Sequence, residues 1–475
     1  MGWNLSKKLA GAIELPTPAA LSTDAMGVVA GFGLVPTKST HRGDKATDPG
    51  AHLLDEIRRS RSVLITGASG SGKSCLLRGI ERALKTSRST GVHIVDALDL
   101  EHTPAAMIDL LDGQIMDRAT TLAHAGLAEP KLWAMPPAML SVGERARLAM
   151  AVTMHRARPG EAVLADEFAT PLDRISAQSV AKTMRRWASR NQITLIAATA
   201  HADMESMLCP DLVIDMDTPA PSTRQPMARV EPKIRIEAGT MDDYALLAHL
   251  HYRSGKPATH TRVLRAMRSL NDQGEMLAGV LVVSMPTLNG AWRDRPWPRF
   301  FSGGDKADNA TAINTHLRCI SRVVVESRSR GLGIASGLVR AYLDHPDTVA
   351  TEAIAAMGSV CPFFERAGMV SYELLPAKPE LRLFDALDAA GVSITDLIRS
   401  EIEPGSLVER ELIIWSKARK LIGAGRPDHQ ITVQLAPIAA CRLLARPRAY
   451  AHVHKGGHDG TRERPNHTDA GAAED

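Results

Sequence analysis

The sequence predicts an α/β protein built of two successive domains, and three observations carry that prediction. An apolar strand runs into a glycine-rich turn at 62–74, and a second apolar strand runs into a basic, glycine-containing turn at 322–335. Between them, residues 217–232 hold Pro219, Pro221, Pro226 and Pro232 among Ser and Thr, the composition of a linker. A length of 475 residues is two to three times that of a typical domain, and with 44% hydrophobic and 23% charged residues each unit can bury its own core.

Taken in order, residues 1–50 are rich in Thr, Ala, Gly and Pro and read as a loose leader. A first domain over 51–230 opens with a helix from Leu53, the strand Ser62 to Thr66, the glycine turn and a helix over Cys75 to Leu84. A second domain over 231–380 alternates strands, Leu277 to Ser284 and Arg322 to Glu326, with helical patterns at His260 to Leu270 and Ile334 to Leu343. Residues 381–445 read as a helical region, with Leu383, Leu387, Ile394 and Leu397 at helical spacing. From 446 to 475, proline, glycine, histidine and charge dominate, so that tail is expected to be disordered.

The bulk properties exclude several classes. No apolar stretch approaches the roughly 20 residues of a membrane helix. The first residues lack the pattern of a secretory signal, so the expected location is cytoplasmic. Cys75, Cys209, Cys319, Cys361 and Cys441 form no CxxC pair, which argues for free thiols rather than disulfides or a zinc ribbon. A net charge of +4 permits a polyanionic partner without requiring one.

The turn Gly67-Ala68-Ser69-Gly70-Ser71-Gly72-Lys73-Ser74 matches the phosphate-loop pattern between a strand and a helix. Its glycines let successive N–H groups curl around phosphates, Lys73 reaches the outer oxygens, and the Ser74 hydroxyl is a magnesium ligand. Downstream, the apolar strand from Ala162 ends in Asp166 and Glu167, one carboxylate to hold magnesium and one to polarise an attacking water. Between them lies Leu140-Ser141-Val142-Gly143-Glu144, and beyond them come Leu172-Asp173 and His201.

That order resembles the ABC ATPase family. The resemblance implies that Ser141 and Gly143 contact the nucleotide of a second copy, that Asp173 lies at the nucleotide, that Glu167 is the general base and that His201 is the switch residue. One such domain per chain then implies a homodimer. Val142 stands where many members have glycine, and the segment from Lys73 to Ser141 is short for a transporter's helical subdomain.

In the second domain, the β-branched strand Val323 to Val325 precedes Arg328-Ser329-Arg330-Gly331-Leu332-Gly333-Ile334-Ala335, again an anion cradle before a helix. With Pro362-Phe363-Phe364-Glu365-Arg366-Ala367-Gly368 further on, it resembles the GNAT acetyltransferases. The fold class implied is a P-loop ABC-type ATPase domain followed by a GNAT-fold α/β acyltransferase domain. The resemblance places acetyl-CoA against Val323, Val325 and residues 328–335. Many members carry a tyrosine as general acid where this chain has Phe364, which has no proton to donate.

His251 and Tyr252 are titratable candidates for the acyl-transfer site, and their segment resembles one in Mom-type DNA adenine modification proteins. Arg262, Arg265 and Arg268 share one face of the expected helix, and Trp292-Arg293-Asp294-Arg295-Pro296-Trp297 interleaves aromatic with basic residues as single-stranded nucleic-acid surfaces do. The expectations are therefore ATP, Mg2+ and acetyl-CoA as cofactors, a homodimer, a nucleic acid as possible partner and no membrane. The acyl acceptor is a nucleic-acid base, or alternatively a protein or small amine. In a third reading, the second domain only binds partners.

Overall fold

A computed structural model describes residues 12–15, 35–38, 50–86, 91–96, 100, 102–218, 221–226, 232–251, 255–270, 274–398, 402–423, 425, 429–445 and 447–454. The chain forms two compact units. The first comprises Met1–Leu98, Arg156–Pro171 and Met184–Val230; the second comprises Asp99–His155, Leu172–Thr183 and Glu231–Asp475. Residues 99–155 and 172–183, expected in the first domain, are thus grouped with the later chain. These segments carry hydrogen bonds to residues 327 and 328, described below.

In the first unit, β1 (Ala12–Leu15) and β2 (Val35–Lys38) pair in parallel, inside the stretch expected to be a loose leader. The main sheet holds β3 (Ser62–Thr66), β4 (Val92–Ile94), β5 (Ala162–Ala165), β6 (Thr194–Thr199), β7 (Leu212–Asp215) and β8 (Ser222–Arg224), in the order β4-β5-β6-β3-β7-β8. All neighbours are parallel except β7 and β8. Central parallel strands are covered on both faces, which is why β3, β5 and β6 read as continuous apolar runs and are almost wholly buried. The helices Ala51–Arg59 and Lys73–Thr86 cover one face through Leu53, Ile57, Leu76 and Ile80. β8 lies within the stretch whose prolines predicted a linker. Its arginine explains the ordering: Arg224 makes two bonds, at 2.8 and 2.6 Å, to the buried Glu205 carboxylate.

In the second unit, a seven-stranded sheet contains β9 (Ile234–Ala238), β10 (Arg262–Ser269), β11 (Glu275–Ser284), β12 (Leu317–Val325), β13 (Ala350–Ala355), β14 (Val370–Glu373) and β15 (Arg448–Val453). Their order is β14-β15-β13-β12-β11-β10-β9, and only β12 and β13 are parallel. The helix Ile334–Asp344 and the short helix Phe363–Arg366 pack on one face through Ile334, Leu338, Tyr342 and Phe364. The helix Met241–Leu247, closed by a Thr240–Asp243 capping box, covers the other face through Tyr244 and Leu247.

Two expectations are corrected here. The pattern at 260–270, read as a helix, is β10: its arginines recur every three residues and so mimic helical spacing, but residues 262–269 pair with β11 and 264–268 also with β9. The stretch 446–475, read as disordered, contributes β15, whose Ala449, Tyr450 and Ala451 are buried between β13 and β14. The second domain therefore does not end at 380. Residues 455–475 lie outside the described residues.

Helices Lys378–Ala389, Leu407–Ala418 and His429–Leu444 share a core around Leu383, Leu387, Leu412, Trp415 and Leu435. All five cysteines are free thiols. Among the described residues, no helix is long and apolar enough to cross a membrane.

Candidate functional site

The first unit gathers three sequence motifs at one sheet edge. β5, β6 and β3 are adjacent and parallel, so residues following their carboxyl ends emerge side by side, at the edge where open α/β sheets hold ligands. After β3 come residues 67–74, after β5 come Asp166 and Glu167, and after β6 comes His201.

The 67–74 turn has the backbone its glycines allow: Gly67, Gly70 and Gly72 have φ of 147°, 82° and 94°. Gly67 is also needed for space, because a Cβ there would lie 2.9 Å from both Met216 Cβ and Ser71 Oγ. Lys73 Nζ folds back onto the Gly67 and Ala68 carbonyls at 2.8 and 2.7 Å, and the Ala68 N–H donates to Asp217 Oδ1 at 2.7 Å. The Ser71 hydroxyl is buried in the turn without a hydrogen-bond partner. Ser69 is exposed, and Ser74 is the second residue of the Lys73–Thr86 helix.

Asp166 Oδ1 accepts the Glu167 N–H at 3.0 Å, and both residues are exposed. Glu167 adopts φ 45°, an unusual conformation for a side chain of its size. The Phe168 N–H bonds to the Ala198 carbonyl of β6 at 2.8 Å and pins the turn. His201 is half-buried, its N–H donating to Thr199 Oγ1 at 3.2 Å.

In the second unit, Ser141 caps the helix Val142–Arg156: Ser141 N–H and hydroxyl donate to Glu144 Oε2 at 2.9 and 2.8 Å. Gly143 lies against Leu172, whose Cδ2 would be 3.2 Å from an added Cβ. Asp173 caps the next helix, Arg174–Arg190, accepting the Ile175 and Ser176 N–H groups at 3.0 Å each. Burial pushes its pKa upward, but the Ser176 bonds, the Arg328 charge and the Ile175 N–H outweigh it and hold the carboxyl below the ordinary aspartate value.

The basic turn follows β12. Pairing between β12 and β13 stops at Ile320 and Ala353 although β12 continues to Val325, so the carboxyl halves of the parallel strands lose their mutual register just before the turn. Val323 and Val325 lie on this half of β12 and pack partly buried against the core beneath the Ile334–Asp344 helix. Gly331 and Gly333 adopt φ of 82° and 87°. Beyond the turn, Ile334 and Ala335 open the helix. The N–H groups of Leu332, Gly333 and Ile334 meet no acceptor among the described residues, and open space surrounds the Gly333 Cβ position.

The other side of this turn is occupied by protein. Arg147 donates to the Ser327 carbonyl at 3.1 Å, Ser179 Oγ donates to the Arg328 carbonyl at 2.5 Å, and Arg268 donates to the same carbonyl at 3.4 Å and to Ser329 Oγ at 3.1 Å. Arg330 forms an ion pair with Glu129 at 3.0 Å, and a Cβ on Gly331 would overlap Thr183 Oγ1. Arg328 itself bonds to Glu326 at 2.9 Å. Sequence reasoning missed Arg147, Ser179 and Thr183, for which no local pattern exists. It also put Arg268 with Arg262 and Arg265 on one face of an expected helix beside a possible nucleic-acid surface, whereas Arg268 is 1% exposed.

Part of the stretch that suggested nucleic acid is internal, while Arg295, Arg299 and Phe300 are exposed. Trp292 and Trp297 pack with ring centroids 6.0 Å apart and planes tilted by 54°, and Trp297 meets Phe301 edge-on at 5.4 Å. Arg293 is buried on Glu352 at 2.7 and 2.8 Å. Arg262 pairs with Asp347, and Arg265 with Glu237 and Asp243. His251 is half-buried after a short turn of helix, and Tyr252 lies outside the described residues. Phe364 is buried against Tyr450, ring centroids 4.8 Å apart, and burial together with Glu365 pushes the Tyr450 hydroxyl up to about 12.

No family model matches the sequence, and no curated protein matches it. Among solved structures, it is similar to cbiO1 from Clostridium perfringens, part of the cbiONQ ABC transporter complex, at 20% identity and a TM-score of 0.26 over 32% of this chain and 72% of that one. It is also similar to a dimeric bacterial ABC transporter cassette, at 19% identity and a TM-score of 0.27 over 33% of this chain and 81% of that one. A post-hydrolysis ATP-binding cassette bound to ADP and Pi aligns at 19% identity and a TM-score of 0.27, over 32% and 79%.

Proposed function

We propose that this chain is an ATP-hydrolysing ABC-type ATPase, acting as a homodimer, joined to an acetyl-CoA-dependent N-acyltransferase. The observation that carries the ATPase reading is the edge formed by β5, β6 and β3. It delivers a phosphate loop, two carboxylates and a histidine from three adjacent parallel strands. The buried Ser71 hydroxyl without a partner, worth about 1–3 kcal/mol when left unmet, fits a turn that rearranges around phosphate oxygens. Lys73 leaves the Gly67 and Ala68 carbonyls to reach the outer phosphates.

The Ser74 hydroxyl and Asp166 carboxylate are hard oxygen donors of the kind magnesium takes. When bound, the ion neutralises charge on the phosphates. Glu167, exposed and free of ion pairs in the described structure, receives the proton of the attacking water, and His201 orients the outer phosphate. Ser141 and Gly143 serve the nucleotide of the second copy, with Asp173 beside it.

The acyltransferase reading is supported by the parting of β12 from β13 directly before a turn whose Leu332, Gly333 and Ile334 amides are open. These amides would receive the coenzyme's phosphates, and Val323 and Val325 would lie along its arm. Because Arg262, Arg265, Arg268 and Arg293 are already paired or buried, a protein or small amine is favoured as acceptor over a nucleic-acid base. His251 and Tyr252 are the titratable candidates for proton transfer at the acceptor.

The purified full chain tests the reading directly. Phosphate release from ATP must be present and must fall with Glu167→Gln. Acetyl-CoA must bind by calorimetry and be lost in Gly333→Glu. Mass spectrometry of proteins, amines and nucleosides from cells expressing the intact chain then identifies the acceptor, and a modified nucleoside would restore the nucleic-acid reading. Absence of both ATP and acetyl-CoA binding would defeat the proposal.

A further inference from the structure

The turn at 326–331 is held by parts of the chain that the ATPase reading assigns to nucleotide sensing. The helix beginning at the Ser141–Gly143 segment carries Arg147, two turns of side-chain reach from the cap, and Arg147 ends on the Ser327 carbonyl at 3.1 Å. The helix capped by Asp173 carries Ser179, which ends on the Arg328 carbonyl, and Thr183, which faces Gly331. Arg268 from β10 bridges the two partners. It bonds to the Ile175 carbonyl at 3.2 Å and to Gln178 on that helix, and to Arg328 O and Ser329 Oγ on the turn. Arg268 is 1% and Arg147 is 7% exposed, so neither bond can be exchanged for water without moving an element.

We propose that Arg147, Arg268 and Ser179 are positioning residues that couple nucleotide engagement at Ser141–Gly143 and Asp173 to the shape of the 326–331 turn, and through it to the open amides at 332–334. A guanidinium in this setting can follow only a discrete set of carbonyl positions. A rotation of either capped helix therefore displaces the Ser327 and Arg328 peptides, and Gly331, packed against Thr183, transmits the displacement to Gly333. The proposal rests on the ATPase reading above, and it requires the turn to respond to ATP whether or not acetyl-CoA is present.

The test uses full-length Glu167→Gln chain, in which ATP remains bound, and hydrogen–deuterium exchange with and without ATP and magnesium. The expected result is an exchange rate over 326–336 that changes about fivefold or more on ATP addition. Arg268→Met abolishes that change while peptides over 67–76 stay protected by ATP, and Arg268→Lys restores part of it. If Arg268→Met does not fold, Ser179→Ala, which removes a single hydroxyl, must reduce the response. Protection at 67–76 with no change at 326–336 overturns the coupling alone. If 67–76 is also unprotected by ATP, the ATPase reading fails and the coupling falls with it.

Discussion

Arg293 and Glu352 form a two-bond ion pair, at 2.7 and 2.8 Å, with side chains 3% and 2% exposed, and it ties the 285–305 loop to β13. Nη2 also donates to the Thr287 carbonyl at 2.7 Å and Nη1 to the Leu288 carbonyl at 3.5 Å, so the guanidinium is bonded on several sides. Removing one partner leaves a buried, unpaired charge, which costs far more than the pair contributes relative to apolar residues.

Glu352→Ala is accordingly expected to lower stability by about 3–5 kcal/mol in urea denaturation. The double variant Arg293→Met/Glu352→Leu should recover most of that loss. A double variant no more stable than the single one would show that the loop depends on the carbonyl bonds of Arg293 rather than on its charge pairing.

Gly331 and Gly333 separate a packing requirement from a binding requirement. Both have positive φ, so alanine at either costs about 1–2 kcal/mol from the backbone alone. At Gly331 the new methyl also meets Thr183, whereas at Gly333 it enters open space. Thermal denaturation should therefore rank Gly331→Ala below Gly333→Ala, and Thr183→Ala should partly rescue the former only.

Glu167→Gln should reduce ATP hydrolysis by on the order of 100-fold or more, because the amide accepts no proton from water. ATP affinity, read by fluorescence of a labelled nucleotide, should be retained. Loss of binding with loss of turnover would assign Glu167 to the fold of its strained turn, at φ 45°, instead of to the chemistry.

His454 titrates abnormally: burial, with the neighbouring His452 charge, lowers its pKa to about 4, partly opposed by a bond to the Leu343 backbone. The folded state therefore holds neutral imidazole, while the unfolded chain takes up the proton near the ordinary value of 6.5. The stability this neutral form contributes is complete above pH 6.5 and is lost progressively as pH falls from 6.5 towards about 4. Urea midpoints of the intact chain and His454→Gln at pH 7.5 and 4.5 should converge or cross at the lower pH. A constant difference would remove His454 from the acid sensitivity.

Ser62–Thr66 was legible as a strand and 75–84 as a helix because both lie in local patterns: a continuous apolar run, then a glycine turn, then amphipathic spacing. β15 was not legible, since Arg448–Val453 sits among prolines and histidines and becomes a strand only by filling the slot between β13 and β14. β10 was misread because Arg262, Arg265 and Arg268 recur at three-residue spacing, while what makes the segment a strand is its pairing with β9 and β11. The packing of Trp292 with Trp297, and the pairing of Arg293 with Glu352, placed part of an apparent binding surface in a core.

The sequence by itself determined the two glycine turns, the carboxylate pair after β5 and the order of the motifs, because a glycine at positive φ or a carboxylate after an apolar strand is dictated within a few residues of chain. Only the tertiary structure decided which face of the 326–331 turn is open and which is held by Arg147, Ser179 and Arg268. Those partners lie 180, 149 and 61 residues away along the chain. A buried guanidinium chooses its carbonyls by proximity in the fold, and no spacing rule in the sequence records that choice.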